Sequence, residues 1–87
     1  MLDVNRCIWI TGASTGIGRM LVKKLASKGF TIAASARSLK NLNKLRNESK
    51  NLKGSIRIYP LDISLRNNVS LTINKIEQEL GKIGTVI

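Results

Sequence analysis

The 87-residue sequence predicts an α/β fold: a parallel sheet with helices on both faces, read as the order βαβαβα followed by part of a further β. Three observations predict it. Short apolar runs alternate with longer amphipathic ones. The apolar runs are separated by stretches of helical length, as strands joined by crossovers require. And no repeat, low-complexity stretch or linker interrupts the pattern, and 87 residues are enough for one domain and no more.

The elements follow in order. "RCIWIT", Arg6 to Thr11, reads as a buried strand. From Gly16 to Lys28 the period changes: Ile17, Leu21 and Leu25 lie four apart with Met20 beside them, the apolar face of a helix. Gly29 can end that helix in the left-handed conformation. "TIAASA", Thr31 to Ala36, is a second strand whose small side chains admit close neighbours. Ser38 can cap a second helix with the stripe Leu39, Leu42 and Leu45. "NLKGS" is a loop. "SIRIYPL", Ser55 to Leu61, is a third strand, with Pro60 at its end where a missing donor is tolerated. Ser64 can cap a third helix carrying Val69, Ile73, Ile76 and Leu80, with Gly81 and Gly84 punctuating its end. "GTVI" begins a fourth strand. Crossovers between parallel strands are expected to be right-handed.

Composition narrows the functional classes. Hydrophobic residues make up 43% of the chain, which separates it from disordered sequences. The single cysteine, Cys7, excludes an intrachain disulfide and reads as a small buried hydrophobe in the first strand. No signal-length apolar segment follows a basic N-terminus, and no run of 18 apolar residues occurs, so the expectation is a soluble, cytoplasmic protein with no membrane partner. The net charge of +10 raises the possibility of an anionic partner. The lysines are nonetheless scattered over polar helix positions and turns, without aromatic residues between them for base stacking, so the expectation is a solvated surface and no nucleic acid. No metal-ligand spacing occurs.

The segment "ITGASTGIG" places Gly12, Gly16 and Gly18 between the first strand and the first helix. In an open parallel sheet, ligands bind beyond the carboxyl ends of the strands, where strand order reverses. A helix N-terminus there offers unpaired N–H groups and partial positive charge to an anion. Gly12 allows a sharp exit from the strand, Gly16 a close backbone approach to phosphates, and Gly18 close packing of the helix on the sheet. Ser14 and Thr15 add hydroxyl donors. The spacing is G-x-x-x-G-x-G. It is not literally G-x-G-x-x-G, and Arg19-Met20 after Gly18 excludes the mononucleotide loop.

"TGASTGIG" resembles the TGxxxGxG cofactor signature of the short-chain dehydrogenases/reductases. "ASARS", "LDIS" and "GTVI" are similar to that family's later segments, in the same order, and the resemblance covers the whole chain. It implies a Rossmann-like, doubly wound sheet of which this chain holds the N-terminal βαβαβαβ portion, incomplete in the fourth strand. It implies hydride transfer between a nicotinamide cofactor and a carbonyl or alcohol substrate. The cofactor-binding positions it implies are Gly12, Ser14, Thr15, Gly16, Ile17, Gly18, Arg37, Ser38, Asp62 and Ile63. Asp62 accepts from the adenine amino group in this reading and the Ile63 N–H meets a ring nitrogen; the rival reading has Asp62 capping the third helix.

An acidic residue at the end of the second strand selects NAD, and a basic one accommodates the 2′-phosphate of NADP. That strand ends Ala36-Arg37-Ser38, with no Asp or Glu. Arg37 can clamp a phosphate and Ser14 or Ser38 can donate to it, which favours NADP over NAD by roughly 10- to 100-fold. Many NADP-preferring relatives carry a second basic residue where this chain has Thr15.

The Tyr-x-x-x-Lys pair and serine that the family uses as acid/base are not found here. Tyr59 is followed four residues later by Ile63. The expectation is therefore the N-terminal cofactor-binding part of a longer reductase, inactive by itself and poorly soluble alone, with the edges of its first and fourth strands exposed and any homo-oligomer depending on the remaining part. The alternatives are a non-catalytic NADP(H)-binding module or sensor and, at a further remove, a basic nucleic-acid-binding protein.

Overall fold

The structure, a computed structural model, describes residues 6–87. Seven elements alternate along the chain: β1 (Cys7–Ile10), α1 (Gly16–Ser27), β2 (Thr31–Ala34), α2 (Leu39–Glu48), β3 (Ser55–Ile58), α3 (Arg66–Leu80) and β4 (Ile83–Val86). The four strands form one sheet in the order β3-β2-β1-β4, and every pairing is parallel. The chain first builds outward from β1 to β3. It then crosses back to place β4 on the other side of β1. Strand order therefore reverses at β1, and the loop leaving β1 opens at that reversal.

The β1 sequence explains why both faces are covered. Side chains alternate along a strand. Ile8 and Ile10 enter a core with Val22, Leu25 and Ala26 of α1 and Leu42 and Leu45 of α2. Cys7 and Trp9 face the other way and pack with Ala33, Tyr59, Leu61 and Ile76 of α3. A strand buried on both sides reads as a continuous apolar run, as "CIWI" does. Cys7 is buried, as its sequence position implies, and burial pushes its thiol pKa up.

Ser38 caps α2: the Asn41 N–H donates to its Oγ at 3.2 Å. Gly29 follows the end of α1 with φ +98°. Val69, Ile73 and Leu80 lie half-buried around Ile76, the stripe read for α3. The backbone ladder runs past the regular strands, since the Tyr59 N–H donates to the Ala34 carbonyl and the Leu61 N–H to that of Ala36.

Five expectations are corrected. Ile17 and Met20 are 84% and 69% exposed, because α1 turns Gly18, Val22, Leu25 and Ala26 inward instead. Leu39 is half exposed at the start of α2, leaving Leu42 and Leu45 as its buried stripe. Ser64 does not cap α3; the N-cap is Leu65, with no side-chain cap bond, because the Ser64 hydroxyl is engaged by Asp62. Gly84 lies within β4, and Gly81 alone ends α3. Among the described residues the sheet edges are β3 and β4; β4 is an edge as expected, but β1 is flanked on both sides.

Candidate functional site

Beyond the carboxyl ends of β1, β2 and β3 lies a cleft of about 510 Å³. Three strand-to-helix segments line it. The β1–α1 loop contributes Thr11, Gly12, Ser14 and Thr15. The segment after β2 contributes Ser35 to Ser38, and the segment after β3 contributes Leu61 to Ser64. Seven of the ten positions singled out in the sequence therefore meet in one place: Gly12, Ser14, Thr15, Arg37, Ser38, Asp62 and Ile63.

The glycine loop is shaped by what its residues lack. Gly12 and Gly16 have φ of +62° and +57°, a left-handed backbone that L side chains adopt at a cost. A Cβ at either would meet nothing within 4 Å, so the space beside both is open. Gly18 serves differently. A Cβ there would lie 2.2 Å from the Gly12 carbonyl oxygen and 2.9 Å from its carbon. The close approach is thus to the loop's own backbone, Gly12 and Ala13, and not to the sheet as its position after the first strand suggests. Gly16, Ile17 and Gly18 shape or follow the loop without lining the cleft.

Thr15 is the N-cap of α1 in extended conformation, and its side chain makes no cap bond. The first turn of α1 holds no acidic residue. The positive end of the helix is thus not neutralised from within its own first turn. Across the cleft, Arg37 is exposed and enters no salt bridge among the described residues.

Asp62 faces two ways. Its Oδ1 accepts from the Ser64 hydroxyl at 2.7 Å and from the Ser64 N–H at 3.0 Å. Those bonds hold its carboxyl below the usual carboxylate range, and the Arg37 charge adds to the effect. The local backbone bonding of the rival reading is therefore present, but it forms a turn ahead of α3 rather than its cap. Ile63 is 63% exposed at the cleft.

Thr11, Ser35, Ala36, Leu61 and Ser64 also line the cleft and were not singled out in the sequence. Thr11 closes the neighbouring strand end: its N–H and Oγ1 both donate to the Ile87 carbonyl, at 2.9 and 3.1 Å. Ser35 is 1% exposed and accepts from the Trp9 indole Nε1 at 2.8 Å. A polar side chain in the apolar run "IAAS" is the signal that could have found it, since a buried hydroxyl requires a partner.

Tyr59 lies outside the cleft. It is buried against α3, and its hydroxyl donates to Glu79 Oε1 at 2.6 Å. Among the described residues no group of three or more His, Cys, Asp or Glu could hold a metal ion, and no helix is long and apolar enough to cross a membrane.

Comparison with known proteins places this geometry. The family model for short chain dehydrogenases matches residues 6–87. The chain is 32% identical over 86 residues to a 3-oxoacyl-(acyl-carrier-protein) reductase, FabG, of Thermotoga maritima, covering 99% of this chain and 35% of that protein. It is 27% identical over 85 residues to the NADPH-dependent reductase BacG of Bacillus subtilis, covering 95% of this chain and 33% of that one. Its backbone superposes on a metagenomic short-chain oxidoreductase crystallised with NADP, with a TM-score of 0.88 at 23% identity, over 94% of this chain and 37% of that chain. The chain spans 25% to 35% of the length of the curated relatives it matches. A parallel sheet reversing at β1, a glycine loop opening at the reversal and a family match running from Arg6 to Ile87 lead to one conclusion: this chain belongs to the short-chain dehydrogenase family.

Proposed function

We propose that this chain is the nucleotide-binding portion of an oxidoreductase that uses NADP(H) on a carbonyl or alcohol substrate. The observation that carries the reading is the convergence of the glycine loop, Arg37-Ser38 and Asp62-Ile63 on a single cleft. The residues present fit a dinucleotide phosphate. Open space flanks Gly12 and Gly16, an uncapped helix N-terminus follows, and on the far side stands a guanidinium that forms no salt bridge among the described residues. When bound, the nicotinamide group supplies hydride exchange with a carbonyl or alcohol.

The chain's own residues act by binding and orienting. The α1 N-terminus and the Ser14 and Thr15 hydroxyls are donors for the pyrophosphate. Arg37 is the cation for a 2′-phosphate, and Ser38 adds a hydroxyl; the Ser38 Oγ already accepts from Asn41 and keeps its own proton to donate. With Oδ1 held by Ser64, the second Asp62 carboxylate oxygen would be the acceptor for the adenine amino group and the Ile63 N–H the donor to its ring. Tyr59, committed to Glu79, takes no part. The acid/base for the substrate therefore comes from outside these 87 residues. An NADPH-dependent relative with 27% identity supports the cofactor choice, as does the absence of Asp and Glu from the Ala36-Arg37-Ser38 turn.

Titration with NADPH and NADH tests the reading. NADPH is expected to bind roughly 10- to 100-fold more tightly, with most of that preference lost in Arg37→Ala. Equal affinities for the two cofactors, or an Arg37→Ala variant that binds NADPH like the parent, overturn the NADP assignment.

A further inference from the structure

Ser35 is held from three directions. Its N–H donates to the Ile10 carbonyl at 2.9 Å, its carbonyl accepts from the Ala13 N–H at 3.0 Å, and its Oγ accepts from Trp9 Nε1 at 2.8 Å. Two of these bonds tie it to neighbouring residues of β1, and the third runs into the glycine loop. Ser35, Trp9 and Ala13 are all buried, and Ser35 lines the cleft. Trp9 in turn spans the sheet: its backbone carbonyl accepts from the Ile87 N–H at 2.8 Å beside β4, and its ring packs in the core with Ile76 of α3.

We propose that Ser35 and Trp9 form a positioning pair for the cofactor loop, in which the indole N–H fixes Ser35 and the Ser35 carbonyl fixes Ala13 between Gly12 and Ser14. The inference rests on the cofactor reading above and adds to it a route by which the α3-side core reaches the phosphate site. The physical reason is that Ala13 follows Gly12, whose backbone is left-handed at φ +62°, and its N–H is held by a carbonyl on a residue beyond the regular strand β2. A residue at that position gains a defined orientation from its side chain, and here the side chain has one buried donor to satisfy. Neither residue touches reacting atoms; they act through Ala13.

The test uses the protein as its gene encodes it, labelled with ¹⁵N. The indole N–H resonance that disappears in Trp9→Phe is the one that reports the pair. Addition of NADPH is expected to shift that resonance. Ser35→Ala is expected to accelerate hydrogen exchange at Ala13 without cofactor and to weaken NADPH binding by roughly tenfold, and Ser35→Thr, which keeps the acceptor, is expected to restore both. Trp9→Phe removes the donor without leaving it orphaned and is expected to loosen Ala13 in the same way. An indole resonance that stays in place at saturating NADPH, with Ala13 exchange unchanged in Trp9→Phe, overturns the positioning role while leaving the cofactor reading intact. Faster Ala13 exchange in both variants of a protein that binds neither NADPH nor NADH leaves Ser35 holding the loop and overturns the cofactor reading.

Discussion

Gly18 shows how one missing side chain sets a local structure. Its hypothetical Cβ would lie 2.2 Å from a backbone oxygen, and backbone cannot step aside as a flexible side chain does. Gly18→Ala is expected to destabilise the fold by about 1–3 kcal/mol and to displace the glycine loop, which chemical denaturation and NADPH titration of the variant would measure. Tyr59 gives a second prediction at this scale. Burial, then the Glu79 carboxylate that accepts its hydrogen bond, pushes its pKa up to about 12. The neutral hydroxyl is the stabilised form, so its contribution is fully present below the ordinary tyrosine pKa of about 10 and is lost as pH rises through the raised value. It is the sole tyrosine of these 87 residues, so an absorbance titration of the 87-residue polypeptide reads its phenolate directly. A midpoint near 10 in the folded protein would contradict the Tyr59–Glu79 geometry.

At the scale of elements, α2 depends on its cap. Ser38→Ala removes the acceptor for the Asn41 N–H and is expected to cost about 1 kcal/mol, a fall of roughly 4–8 °C in Tm for a domain of this size. Because Ser38 also lines the cleft, the same variant is expected to weaken NADPH more than NADH. The first helix illustrates where sequence reading stops. Its length and both ends were legible from period and glycines. Its inward face was not, because Ile17, Leu21 and Leu25 make as regular a stripe as Val22, Leu25 and Ala26. Close approach at Gly18 decides between them, since the side without a Cβ is the side that can touch the loop. The third helix differs for a similar reason. Ser64 carries the capping residue type at a capping position, but Asp62 binds its hydroxyl first, at 2.7 Å. Arg19 and Lys23 of α1 both reach Glu48 at the end of α2, a tie between two neighbouring helices that lies too far apart in sequence to be read there.

At the scale of the sheet, the order β3-β2-β1-β4 leaves β3 and β4 unpaired on one side among the described residues. The β3 edge carries Arg57, which is ion-paired with Glu79 of α3 at 3.6 Å. The β4 end carries Val86 and Ile87, 59% and 48% exposed. Produced as residues 1–87 alone, the polypeptide is therefore expected to self-associate through β4, with Val86→Lys restoring a monomer; sedimentation of both forms measures this, and an 87-residue parent that sediments as a monomer would contradict it. What the sequence determined by itself was the alternation of strands and helices, the glycine loop and the basic residue at the end of the second strand, because these are local: they depend on period, turn chemistry and spacing within a few residues. The family followed from the same segments, and the match over residues 6–87 agrees. Tertiary structure alone decided which strands are central, which face of α1 is buried, and that Trp9 meets Ser35 across 26 residues. Those depend on which distant groups the sheet brings within hydrogen-bond or packing distance, and no local pattern of residues specifies that.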